Sequence, residues 1–95
     1  MLNLNIYGVS TDAGPLVIAH GLFGSARNWG AIAKGLSDAR QVVAVDMRNH
    51  GQSAWTATHN YQDMAADLAE VIESLGGHAD LLGHSMGGKT AMVLA

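Results

Sequence analysis

The protein has 95 residues, enough for one small domain. Hydrophobic residues make up 48%, which suits a packed globular core and excludes a disordered chain. Its net charge is −3, with five Lys+Arg against eight Asp+Glu and no basic cluster, which argues against nucleic-acid partners and against an electrostatic hold on an anionic membrane.

There is no cysteine, so a disulfide framework and a Cys-based metal site are excluded. The N-terminal stretch MLNLNIYGVSTDAG has neither a basic n-region nor a long apolar h-region, and no apolar run approaches a membrane span. A soluble, cytoplasmic protein is expected. Along the chain, Leu2 to Tyr7 alternates Leu2, Leu4 and Ile6 with Asn3 and Asn5, the pattern of a half-buried strand. Gly8 to Gly14 has the composition of a turn or hairpin loop. Pro15 to Ala19 is continuously apolar, as in a strand buried on both faces of a parallel sheet. Asn28 to Leu36 predicts a short helix with Trp29, Ile32, Ala33 and Leu36 on one face. Gln41 to Val45 is a second buried strand, ending at Asp46, and a polar loop from Met47 to Asn60 follows. Tyr61 to Leu75 carries the clearest helical periodicity. Met64, Leu68, Val71, Ile72 and Leu75 form its apolar stripe, and Gly76-Gly77 ends it. The apolar run after Asp80 and the helix-like run Lys89 to Ala95 complete a strand–strand–helix–strand–helix–strand–helix order. Such alternation predicts an α/β class: a mostly parallel sheet with flanking helices, in one domain over residues 1–95.

Between that last strand and last helix, Gly83-His84-Ser85-Met86-Gly87 matches G-x-S-x-G. The motif needs a strand before it and a helix after it, and has both. Such a turn pushes a serine hydroxyl out at the top of the strand. Side chains at Gly83 and Gly87 would collide with neighbouring backbone, and the following helix aims its free N–H groups at the same place. In open sheets of this kind ligands bind beyond the carboxyl ends of the strands. His20 to Ser25 and Asp46 to Ser53 arrive there with the turn at Ser85.

HGLFGS, DMRNHGQS and GHSMGGKTAM, in that order and spacing, resemble the first half of an α/β-hydrolase. NHG and GGK point to the small esterase and thioesterase branch, which acts on short acyl esters and acyl-CoA. The resemblance covers essentially the whole chain. It implies that Ser85 is the nucleophile, forming an acyl-enzyme. It implies an oxyanion hole built from the backbone N–H groups of Leu22 and Met86, with Phe23 as the substitute for Leu22. His20 would brace the oxyanion loop, and Gly21 and Gly24 would let that loop run close to the substrate. His50 resembles a loop-ordering residue beside Arg48. Small-molecule acyl esters or thioesters are the implied substrates, with no cofactor.

Other candidates compete for these roles. His84 adjoins Ser85, but neighbouring side chains on a turn diverge, and a base must reach the hydroxyl at about 2.6–3.2 Å. A packing or hydrogen-bonding role under the turn is expected instead. Asp46 follows a strand as a triad acid would, yet it precedes Ser85, whereas the chain order in this fold is Ser, then acid, then His. A structural pairing of Asp46 with Arg48 is expected. Asp80 begins its strand at the wrong end of the sheet. Trp29, Trp55 and Met86 are candidates for an acyl pocket. His59 and His78 have no assigned function, and the five histidines lack metal-ligand spacing, so no metal is expected.

No acid or histidine lies between Ser85 and Ala95, so a triad in the order Ser, acid, His cannot be completed within these residues. The last helix is still apolar and periodic there, without a C-cap signal. The expectation is an N-terminal piece of a longer hydrolase, cut after the nucleophile elbow and inactive by itself. The same fold also carries C–C bond hydrolases, acyltransferases and perhydrolases, and it serves non-catalytic binding proteins, so fold alone does not choose among them. Acyl chain length, leaving group and oligomeric state leave no trace in the sequence.

Overall fold

The computed structural model describes residues 1–21, 24–57 and 59–95. Four strands, β1 (Asn3–Tyr7), β2 (Leu16–Ala19), β3 (Val42–Asp46) and β4 (Asp80–Gly83), form one sheet in the order β1-β3-β2-β4. β2 lies parallel to both β3 and β4, with Ala19 opposite Val45 and Gly83. β1 runs antiparallel to β3, with Asn3 opposite Asp46. The sheet is therefore mixed, with its parallel part where the βαβ alternation predicted it. β1 and β2 are separated by β3, so the loop after Tyr7 is a crossover and not a hairpin.

The continuous apolar runs put side chains into both layers, because successive residues of a strand face opposite ways. Val17, Ala19, Val43 and Val45 join Met64, Leu68 and Val71 of α2 (Tyr61–Ser74) and Met86 of α3 (Met86–Leu94) in one core. Ile18, Val42 and Ala44 pack on the other face with Ala26 and Ala33. Those two residues come from a 3-10 turn (Ala26–Trp29) and the helix α1 (Gly30–Leu36) that continues it. The expected apolar face of that helix is only partly used. Ala33 is buried, but Ile32 and Leu36 are 51% and 41% exposed. A helix of seven residues makes only two turns, so only its middle residue reaches the sheet. Ile6 of β1 is likewise 54% exposed, since β1 is an edge strand. Met47 opens a segment read as polar, yet it is fully buried against the α2 side.

α2 is capped at its N-terminus by a residue read only as the end of a polar loop, and it ends just before the glycine pair that the sequence marked. The Asn60 side chain accepts from the Asp63 amide at 2.8 Å, and the chain leaves through Gly76 and Gly77, both with positive φ. Below the sheet, at the N-terminal ends of β2 and β4, Arg40 donates to the carbonyls of Ala13, Gly14 and Pro15 and to Asp80 at 2.7 Å. Asp80 is thereby a structural anchor, at the opposite edge from Ser85.

Candidate active site

Ser85 sits between β4 and α3 with φ 54° and ψ −110°. A non-glycine residue held there stores about 1–3 kcal/mol of backbone strain. The surrounding contacts enforce it. A Cβ on Gly83 would lie 2.6 Å from the Gly88 Cα, and one on Gly87 would overlap the Ala19 carbonyl. The turn is closed by His84 N–H to Ala19 O, Gly87 N–H to His84 O and Lys89 N–H to Ser85 O, each 3.0 Å. Ser85 is exposed, above the first turn of α3. The Met86 N–H has no acceptor among the described residues, so it is free to donate into the space beside Ser85. Leu22 and Phe23, expected to supply the second oxyanion donor, lie outside the described residues.

His20 and Gly21 carry the first loop past this turn. His20 is buried, and its two ring nitrogens settle its tautomer. Nδ1–H donates to the Gly21 carbonyl at 2.7 Å, and Nε2 accepts from the Met47 amide at 3.0 Å. One neutral imidazole thus joins the loop after β2 to the loop after β3. Burial pushes its pKa below the usual histidine value, and His50, 5.1 Å away between ring centroids, acts in the same direction. The Gly21 carbonyl and Asp46 offset this only in part. Gly21 touches the turn itself: a Cβ there would come 3.3 Å from the Ser85 Cβ and 3.1 Å from His84 Nδ1. The Gly24 N–H donates to the Gly21 carbonyl at 2.9 Å. His50 donates to the Arg48 carbonyl at 2.9 Å and stacks obliquely on His59.

His84 does not lie under the turn. It is exposed, with its ring against Trp29 at a centroid distance of 5.9 Å. Trp29 lines a cavity with His20, Gly21 and His84, apart from the one that Ser85 and Met86 line. Trp55 is 80% exposed. Of the three candidates for an acyl pocket, only Met86 shares a cavity with Ser85.

Asp46 is 3% exposed and does not pair with Arg48. Its carboxylate accepts from the Ala26 amide at 2.8 Å, the Asn3 side chain at 2.8 Å and the Gln52 amide at 3.1 Å. Burial pushes its pKa up, but these donors more than offset that and hold it below the usual carboxylate value. Gly51, at φ +51°, passes so close that a Cβ would collide with the carboxylate. Arg48 is instead clamped by Asp67, at 2.6 and 2.9 Å, with Asp63 at 3.7 Å. Asp46 therefore ties β1, the 3-10 turn and its own loop together, while Arg48 ties that loop to α2.

Residues 14–95 match a family model described as alpha/beta hydrolase fold. The chain belongs to the α/β-hydrolase fold family. It is 42% identical over 99% of its length to the sn-1-specific diacylglycerol lipase ABHD11 of Danio rerio, and covers 31% of that protein. It is 44% identical to Esterase YbfF of Escherichia coli (strain K12), over 84% of this chain and 32% of that one. A solved marine microorganism esterase superposes with a TM-score of 0.92 at 46% identity, over 98% of this chain and 35% of that one. The chain thus spans about a third of the length of these relatives.

Within this α/β-hydrolase frame the structure adds residues that the sequence did not single out. A cavity of about 300 Å³ beside Ser85 and Met86 is lined by His59, Asn60, Tyr61, Met64 and Lys89. Met64 had an apparent role as core, and Lys89 as part of a helix. One signal was available: Lys89 follows Ser85 by four residues, one helical turn, and so shares its side of α3. Nothing local marks the α2 residues, because their approach depends on how α2 packs on α3. Among the described residues there is no cluster of three His, Asp or Glu able to hold a metal, and no helix long and apolar enough to cross a membrane.

Proposed function

We propose that this α/β-hydrolase chain provides the nucleophile and part of the oxyanion hole of a serine hydrolase acting on carboxylic esters or thioesters. The observation that carries the reading is the strained, exposed Ser85 beside the unoccupied N–H of Met86. Ser85 Oγ attacks the acyl carbonyl and gives up its proton to a general base. The carbonyl oxygen becomes an oxyanion, which the Met86 N–H stabilises, with Leu22 as the second donor. Collapse of this intermediate expels the alcohol or thiol and leaves an acyl-enzyme, which water hydrolyses. A donor of this kind is worth about 10²–10³ in kcat. His20 positions the first loop through the Gly21 carbonyl and, being neutral, adds no charge there. His84 faces Trp29 and is not the base.

The acid and base of the triad are not among these residues. The relatives named as an esterase and a lipase are about three times as long as the chain, which leaves room for both. The 95 residues alone are accordingly expected to turn over esters negligibly. A fluorophosphonate probe tests the assignment on the full-length protein. Covalent labelling is expected at Ser85 and should vanish in Ser85→Ala; labelling that persists in that variant refutes the nucleophile.

A further inference from the structure

The cavity beside Ser85 has a charge character opposite to that of the chain. The protein carries eight acids and a net charge of −3, yet no acid lines this cavity among the described residues. Two acids of α2 are engaged elsewhere. Asp67 holds Arg48 at 2.6 Å, and Asp63 faces Arg48 at 3.7 Å and the Asn60 side chain at 3.1 Å. Lys89, which lines the cavity, has no ion pair or hydrogen bond from its ammonium group among the described residues. His59 lines it too. Its Nδ1 accepts from Asn49 at 3.3 Å, which leaves Nε2–H as a second donor. Buried Met64 and Met86 form the apolar floor of the cavity, while Lys89, His59 and Tyr61 are exposed at its rim, so the ammonium meets an incoming anion at a solvent-open edge where screening keeps the attraction modest.

We propose that Lys89 is a specificity-determining residue, selecting substrates that carry a carboxylate or similar anion close to the scissile ester. This deepens the reading of Ser85 as nucleophile and rests on it. The anion can belong to the acyl half or to the leaving group, and both would present the same chemistry to the ammonium. Lys89 does not touch the reacting carbonyl, so its effect falls on KM more than on kcat.

Three esters separate the possibilities in the full-length protein. p-Nitrophenyl butyrate is neutral, p-nitrophenyl hemiglutarate carries the anion on the acyl side, and 4-(butyryloxy)benzoate carries it on the leaving group. Lys89→Gln is expected to lower kcat/KM for one of the charged esters about five- to tenfold, while the neutral ester stays within about twofold. Lys89→Arg should keep the preference, and added salt should narrow it. Equal losses on all three esters, or no change in their ratios, overturn the proposal. Glutarate binding to Ser85→Ala, followed by titration calorimetry with and without Lys89→Gln, needs no turnover. Binding that depends on Lys89 without any ester hydrolysis would retain the anion site and discard the hydrolase reading. Glutarate binding that is absent, or indifferent to Lys89, discards the site.

Discussion

The carbonyl of Ala19 occupies the place where a Cβ of residue 87 would have to stand, so the end of β2 abuts the first turn of α3 directly. That contact brings the unoccupied Met86 N–H and the Ser85 hydroxyl to the top of the sheet. It also explains why two glycines flank the serine: backbone, not a movable side chain, fills the space at each.

Gly87→Ala is therefore expected to cost about 3 kcal/mol or more, because neither Ala19 nor the helix can yield without breaking the turn. Gly35→Ala is the matched control. It lies in α1 with nothing within 4 Å of the added carbon, and should be neutral or stabilising by about 0.5–1 kcal/mol. Urea denaturation of both variants tests the contrast. A Gly87→Ala protein as stable as wild type would contradict the close approach of the Ala19 carbonyl to residue 87.

The pH response should carry the signature of His20. Burial, its largest influence, holds the pKa below the ordinary value. In the unfolded chain this imidazole takes a proton near pH 6.5, whereas the folded protein resists protonation until lower pH. The stability tied to neutral His20 is thus complete above about pH 6.5 and falls as the pH drops toward the folded-state pKa. Protonation would also abolish the bond from Met47, since Nε2 could no longer accept. His20→Asn is expected to be less stable at about pH 7.5 and to lose less than wild type on going to about pH 5.5. Parallel slopes for the two proteins would exclude His20 as the source.

Asp46 acts over a lower range. Its pKa is held below the usual carboxylate value, so its contribution is present above about pH 4 and is lost as pH falls through the folded-state pKa. Asp46→Asn replaces one acceptor oxygen by a donor NH₂ facing other donors. A loss of about 1.5–3 kcal/mol at neutral pH is expected, shrinking in acid. Thermal unfolding at several pH values checks both the size and the trend.

Arg48 and Asp67 offer a cleaner electrostatic test. Their side chains are 14% and 21% exposed and meet through two short bonds. A double-mutant cycle of Arg48→Met and Asp67→Asn should return a coupling of about 1 kcal/mol. The pair between the N-terminal amine and Glu70, at 3.6 Å and far more exposed, should return nearly none.

Much of this molecule can be read locally. Val17 to Ala19 and Val42 to Val45 had to be buried strands, since they offer no polar face. Met64, Leu68 and Val71 recur at helical spacing, and Gly76-Gly77 marks where α2 ends. Gly83 and Gly87 around Ser85 announced a turn too tight for side chains. These signals span a few residues, and the physics that produces them, side-chain periodicity and backbone sterics, acts over the same range.

The amino-acid order alone therefore determined the succession of elements, the two-sided burial of β2 and β3, and the strained serine at the head of α3. Three-dimensional packing decided that β1 runs antiparallel beside β3, that Asp46 is held by Ala26 and Asn3 and not by Arg48, and that Lys89 and His59 share the serine's cavity. Asp46 meets partners 20 and 43 residues away, and no pattern within a single segment records which distant donor will reach a buried carboxylate. Strand order and helix packing make that choice, because a buried charge accepts whichever hydrogen-bond donors the assembled sheet brings within about 3 Å.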